Sequence, residues 1–132
     1  MNAFLDSMLQ VLNSHDPEQL ASLFAEDYRS AQPAHPGREF VGRGKVLENW
    51  TAVFAGVPDF TATLVSGIQD GDTVWSEWAW SGSFADGSPF AMCGVIILVL
   101  HDRLIAEGRL YMEAVDQEES TIDEAVEELY QP

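Results

Sequence analysis

The sequence predicts a single α+β domain in which N-terminal helices pack on an antiparallel sheet. Up to Val57 apolar residues recur mostly at helical spacing, whereas from Asp59 onwards they alternate with a period of two. The pattern changes once, and no linker or low-complexity tract interrupts it. With 132 residues, 46% of them hydrophobic, the chain has room for one core, so we expect residues 1–132 to form one domain.

Two helices are predicted at the start of the chain. Residues 2–13 carry apolar side chains at i, i+3 and i+4 spacing, which is typical of an amphipathic helix with one buried face. Asp16 can cap a second helix, and Pro17 suits its first position. The apolar stripe of this second helix continues to about Asp27, where we expect the helix to end.

The rest of the chain is predicted to be mainly a hairpin meander. Turn sequences such as Asp70-Gly71 separate its alternating runs, which is typical of antiparallel hairpins. In chain order the predicted elements are a short strand and loop within 28–42, a third helix over 44–55, strands over 59–69, 73–84, 89–100 and 103–115, and a short, solvated acidic helix over 120–130.

Charge and composition exclude several functions. The 22 Asp and Glu residues against 6 Lys and Arg give a net charge of −16, which repels phosphate backbones and anionic lipids, so we expect neither nucleic acid nor membrane as partner. Cys93 is the only cysteine, and we expect it in the core of a cytoplasmic protein. The three histidines lack metal-ligand spacing on one element, so no metal or cofactor is expected.

Both faces of the meander are apolar. In the run 73–84 the side chains of Trp78 and Trp80 share one face, while Trp75 and Glu77 share the other. In the run 89–100 the side chains on both faces of the strand are apolar, and a strand of this kind is normally covered on both faces. The helices can cover one face only. We therefore expect a homodimer that forms through the other face.

Several short motifs occur in the order typical of a known superfamily. The chain resembles the SnoaL-like domains of the nuclear transport factor 2-like superfamily over residues 4–115. This resemblance implies a cone in which helices pack on a curved sheet, with the order ααβαββββ and a short C-terminal helix. The motifs that carry it are Leu23 to Tyr28, His35-Pro36-Gly37 ahead of Gly42, Trp50, Pro58-Asp59-Phe60, Asp70-Gly71-Asp72, Trp75 to Trp78, and Ile105 to Glu113.

The resemblance also implies a small-molecule pocket without naming a reaction. Superfamily members include isomerases, cyclases, hydrolases and proteins without catalysis. Their catalytic groups fall on positions that here carry other residues: the ketosteroid isomerase base near Gln32 and its tyrosine near Met8, the epoxide hydrolase carboxylates near Trp80 and Leu110 with its arginine near Trp78, and the polyketide cyclase base at Leu110 or Glu113.

We therefore expect a hydrophobic ligand in the cone, with His35 as the candidate proton carrier. His35 lies in the loop that overhangs the pocket mouth in this superfamily, and imidazole titrates near neutral pH. The reaction would be an isomerisation, cyclisation or hydration; the alternative is a non-catalytic ligand-binding or protein-association module. Glu77, Arg109 and Glu113 serve either the pocket or the subunit contact. The predicted ligand contacts are Tyr28, Trp50, Phe54, Trp78, Trp80, Met92 and Leu110.

Overall fold

The computed structural model describes residues 2–130 and has the predicted α+β architecture. Helices pack against one face of a single six-stranded sheet. The helices are α1 (Ala3–Leu12), α2 (Pro17–Ala21), α3 (Arg43–Gly56) and α4 (Ile122–Leu129), and the strands are β1 (Phe24–Ala31), β2 (Phe40–Val41), β3 (Thr61–Asp70), β4 (Thr73–Ser83), β5 (Pro89–His101) and β6 (Leu104–Ala114).

The sheet is mixed rather than wholly antiparallel. Its strand order is β2-β1-β6-β5-β4-β3, so β3 to β6 form the predicted meander. At its other end β1 runs parallel to β6 and carries the two-residue strand β2 on its outer edge. The alternation within a strand does not specify the direction of its neighbour, and so the sequence did not indicate the parallel pair.

The second helix ends earlier than predicted. The apolar stripe suggested helix to about Asp27, but α2 stops at Ala21 and β1 starts at Phe24. The backbone N–H of Ile105 donates to the Leu23 carbonyl over 2.9 Å, which joins this segment to β6. A short apolar run is compatible with both the helical and the strand period. Here the pairing with β6 makes the segment from Phe24 a strand.

The core lies between the helices and the inner face of the sheet. Helix α1 is capped by Asn2, whose side-chain oxygen accepts from the Leu5 N–H over 2.8 Å, and α2 is capped by Asp16. Both caps satisfy N–H groups that a helix start leaves free. The largest fully buried side chains are Trp78, Phe60, Leu5, Leu12, Leu20, Ile105 and Val74.

The outer face of the sheet carries apolar side chains that this chain leaves uncovered. Ile68, Trp75, Ile97 and Arg109 form one row across the four meander strands. Ile68 is 67% and Trp75 47% exposed, whereas Ile97, between Trp75 and Arg109, is only 4% exposed. Cys93 lies on the same face and is exposed, so its expected burial in the core was wrong. The alternation of side chains along β5 places residue 93 on the face that the helices do not cover.

The C-terminal helix α4 is solvated, as the sequence suggested. Thr121 caps it by accepting from the Glu124 N–H over 3.2 Å, and each of its residues is exposed. Among residues 2–130 no helix is long and apolar enough to span a membrane.

Gly94 allows β5 and β6 to approach closely where it pairs with Met112. Its φ is +153°, and a Cβ there would collide with the Tyr111 carbonyl oxygen and lie 2.9 Å from Met112 Cα. We predict that Gly94→Ala lowers the free energy of unfolding by on the order of 3 kcal/mol, measured by chemical denaturation.

Gly44→Ala is the matched control, because Gly44 is helical and has nothing within 4 Å of an added Cβ. That substitution should stabilise the protein by about 0.5–1 kcal/mol. Equal effects of the two substitutions would contradict the steric account of Gly94.

Candidate functional site

A cavity of about 200 Å³ lies between the helices and the inner face of the sheet. Every layer of the fold contributes to its wall: α1 and α3 on one side, β1 and β2 at the edge, and β4 to β6 on the other side. The lining residues are Met8, Leu12, Phe24, Tyr28, Ser30, Gln32, Phe40, Val46, Asn49, Trp50, Val53, Trp78, Trp80, Ile96, Leu98 and Leu110.

Aromatic rings make up one wall of the cavity. The Trp50 and Trp80 ring centroids are 5.4 Å apart at an interplanar angle of 76°, which is a favourable edge-to-face contact. Phe60 packs behind both rings, with centroids 5.6 Å from Trp50 and 5.7 Å from Trp80. This packing fixes the rings before any ligand arrives.

The indole N–H of Trp78 is satisfied within the protein. Its Nε1 donates to Ser76 Oγ over 2.8 Å, and the Ser76 hydroxyl donates in turn to the Ile96 carbonyl over 2.8 Å. All three groups are buried. Because a buried donor without a partner is costly, this chain of bonds lets a large polar-edged ring sit in the core.

The indole N–H of Trp80 has no such partner. Trp80 is 8% exposed, and its Nε1 is buried without a hydrogen bond from residues 2–130. An unpaired buried donor of this kind costs about 1–3 kcal/mol. Of the two tryptophans that β4 places on the cavity wall, one therefore has a hydrogen-bond acceptor within the described chain and the other has none.

Tyr28 is the ionisable side chain among the lining residues of the described chain. Burial raises its pKa, and a hydrogen bond with Ser30 opposes the shift to a smaller extent. Its phenol therefore stays neutral at physiological pH and serves as a hydrogen-bonding group. Gly108 leaves room for that hydroxyl, because an added Cβ would collide with it.

Five of the seven predicted ligand contacts lie on the cavity wall, namely Tyr28, Trp50, Trp78, Trp80 and Leu110. Phe54 and Met92 do not line the cavity. Phe54 packs instead on His15, with ring centroids 5.4 Å apart, and Met92 pairs with Trp80 from the neighbouring strand. Helical spacing for Phe54 and strand alternation for Met92 predict which face of the element each side chain occupies, but not whether it reaches the cavity.

The structure puts His35 outside the cavity lining. Its Nε2 lies 2.7 Å from Glu113 Oε1, and Glu113 belongs to the outer face together with Arg109 and Tyr111. Glu77 lies on that face too, where it is paired with Val95. The acid–base role of His35 stays a prediction, and its position beside Glu113 does not favour it.

Sequence reasoning missed several lining residues. The α1 stripe contained Met8 and Leu12, but a stripe shows only which face is buried. Gln32 and Asn49 add side-chain amides to the wall, and Arg38 already donates to the Gln32 side-chain oxygen Oε1 over 2.8 Å. Among the positions near which the resemblance places the superfamily's catalytic groups, Met8, Gln32, Trp78, Trp80 and Leu110 line this cavity, whereas Glu113, the alternative position of the cyclase base, does not.

The SnoaL-like domain family matches residues 5–108 of this chain, which therefore belongs to that family. No curated protein matches the sequence. Among solved structures, a protein with a ketosteroid isomerase-like fold from Catenulispora acidiphila, in complex with trimethylamine, has a TM-score of 0.71 at 19% identity and covers 83% of this chain and 84% of its own.

Two further structures have somewhat higher sequence identity. A nuclear transport factor 2-like protein of unknown function from Exiguobacterium sp. 255-15 has a TM-score of 0.69 at 25% identity, covering 87% of this chain and all of its own. IdmH from Streptomyces antibioticus, thought to be a polyketide cyclase, has a TM-score of 0.68 at 26% identity, covering 84% and 88%. The predicted nuclear transport factor 2-like fold is thus confirmed.

We predict that Ser76→Ala destabilises the protein by about 1–3 kcal/mol, because it leaves the Trp78 N–H buried without an acceptor. Thermal and chemical denaturation would measure the change. Ser81→Ala is the control on the same strand, since Ser81 is exposed, and it should change stability by less than about 0.5 kcal/mol. Indistinguishable stabilities of the two variants would rule out the bonded chain as a stabilising element.

Proposed function

We propose that this protein binds a small, mostly apolar molecule in the cavity between α1, α3 and the sheet. The single observation that carries the proposal is the cavity itself, which is lined by aromatic and aliphatic side chains with a few polar groups among them. That composition is typical of small-molecule sites. An apolar cavity of about 150 Å³ can hold benzene, so about 200 Å³ suits a ligand of one substituted or two fused rings.

The family supports a small-molecule role. IdmH, 26% identical to this chain, is thought to cyclise a polyketide, and polyketides offer rings and oxygen atoms of the kind that this wall could contact. The likeness does not extend to a reaction, because the cavity presents neutral side chains where proton transfer near neutral pH would need a titrating one. Tyr28, Ser30, Gln32 and Asn49 can orient a ligand by hydrogen bonds.

We predict that Leu110→Trp weakens binding of the hydrocarbon indane at least about tenfold, or about 1.4 kcal/mol, because the larger side chain fills the cavity. Titration calorimetry, or the concentration-dependent rise in melting temperature that a ligand of the folded state produces, would measure the affinity.

Tyr111→Trp is the matched control, because Tyr111 is the next residue on β6 and points to the outer face, where it is 42% exposed. The control should bind indane like the wild type. Equal losses in both variants, or no indane binding by the wild type at millimolar concentration, would contradict the proposal.

We also propose that two copies of the chain pair through the outer face. Trp75, Ile97 and Arg109 lie in one row of that face, and Glu77 and Val95 in the next. A two-fold axis parallel to β5 would place the outward side chains of β4 in one copy, among them Glu77, opposite the outward side chains of β6 in the other copy, among them Arg109. Such an interface buries the apolar centre and brings Glu77 of one copy to the side of the interface that carries Arg109 of the other.

We predict that Val95→Glu converts the dimer to a monomer, because it places a charge at the centre of a desolvated contact. Sedimentation equilibrium at micromolar concentration measures the mass. Ser7→Glu adds the same charge on the exposed side of α1 and should leave the dimer intact. A wild-type protein that sediments as a monomer would disprove this assembly.

A further inference from the structure

We propose that a ligand enters and leaves the cavity between the end of β6 and the loop that joins β1 to β2, residues 32–39, and that the contact between His35 and Glu113 holds this entrance closed. The inference rests on the proposed binding function and deepens it. It makes His35 and Glu113 positioning residues, which control how fast the ligand exchanges without touching the ligand.

The rim of the cavity is marked by the lining side chains that solvent also reaches. Most of the lining is buried, for example Tyr28, Trp78 and Ile96. Six lining residues are only half-buried, and they lie at the two ends of the loop, on α3 and on β6. They are Gln32, Phe40, Asn49, Trp50, Val53 and Leu110. The loop and β6 therefore both border the entrance.

The loop lies beside the part of β6 that extends past β1. Strand β1 ends at Ala31, which pairs with Arg109, whereas β6 continues to Ala114. His35 Nε2 lies 2.7 Å from Glu113 Oε1 on this last stretch of β6. The contact thus joins the two elements that border the entrance.

This contact is the one side-chain hydrogen bond between the loop and another element within residues 2–130. The other hydrogen-bonded side chain of the loop is Arg38, which donates to Gln32 inside the loop itself. The attachment of the loop to the end of β6 therefore depends on a single pair of side chains.

The pair is weak enough to break without unfolding the sheet. The side chains of His35 and Glu113 are 35% and 59% exposed, and exposed ion pairs contribute little to stability. The strand that follows the loop, β2, has only two residues. Segments with few buried contacts open most readily, so the loop can move away from β6 while the core stays packed.

The rates of indane exchange test the proposal. Line shapes of ¹H–¹⁵N resonances during an indane titration give the association and dissociation rate constants in the wild type, His35→Ala and Glu113→Ala. We expect both rate constants to rise about two- to fivefold in each variant, the factor that an exposed pair contributes. The affinity should stay unchanged, because the contact affects a barrier that entry and exit share.

Three further variants separate the contact from other effects of the substitutions. His35→Gln keeps a hydrogen-bond donor and should restore the wild-type rates. The double variant His35→Ala/Glu113→Ala should be no faster than either single variant, since the first substitution already removes the contact. His101→Ala removes a comparable exposed contact, with Asp102 at 3.4 Å in the turn between β5 and β6, and should leave both rates unchanged.

The outcomes distinguish this inference from the proposed function. If indane binds and the rates in His35→Ala and Glu113→Ala equal those of the wild type, or if His101→Ala raises them as much, the inference is wrong while the binding function stands. A loss of affinity without faster association would also overturn it, because the contact would then shape the cavity. If indane does not bind the wild type at millimolar concentration, the proposed function fails, and the inference fails with it.

Discussion

The rest of the structure depends on the alternation of side chains along β4. Because β4 is held between β3 and β5 in a fixed register, Val74, Ser76, Trp78 and Trp80 all face the helices. Trp75 and Glu77 must then face outward, since a shift of one residue would exchange the two sets. The hydrophobic core, the aromatic wall of the cavity and the uncovered outer face all follow from this one register.

The inner face of the sheet carries two buried indole N–H donors, of which one has a hydrogen-bond acceptor in the described part of the chain and the other has none. Ser76 serves the core, because its Oγ accepts from the Trp78 N–H and its hydroxyl donates a hydrogen bond to the Ile96 carbonyl on β5. Trp80 is equally fixed by Trp50 and Phe60 but receives no acceptor. Of the two β4 tryptophans that line the cavity, the fold of residues 2–130 therefore gives an acceptor to Trp78 and none to Trp80.

The outer face explains why charged residues of the meander are absent from the cavity. Glu77, Arg109 and Glu113 all lie on it, and the Glu113 carboxylate meets the His35 ring at 2.7 Å. That contact ties the loop after β1 to β6. His35 does not line the cavity, so the two candidate centres of chemistry that the sequence suggested, His35 and the aromatic wall, do not form one site.

The sequence by itself determined the helices α1 and α3, the four-stranded meander and the side of the sheet on which each tryptophan lies, because these follow from local period and turn chemistry. Only the tertiary structure decided that the helix ends before Leu23 and that a strand begins at Phe24, because the bonds of both residues to β6 are contacts distant in sequence. Likewise, parity assigned Trp80 and Met92 to the inner face alike, yet only Trp80 reaches the cavity. Periodicity specifies the face of an element, whereas distance along it, and the absence of an acceptor beside Trp80, depend on how the helices and strands finally pack.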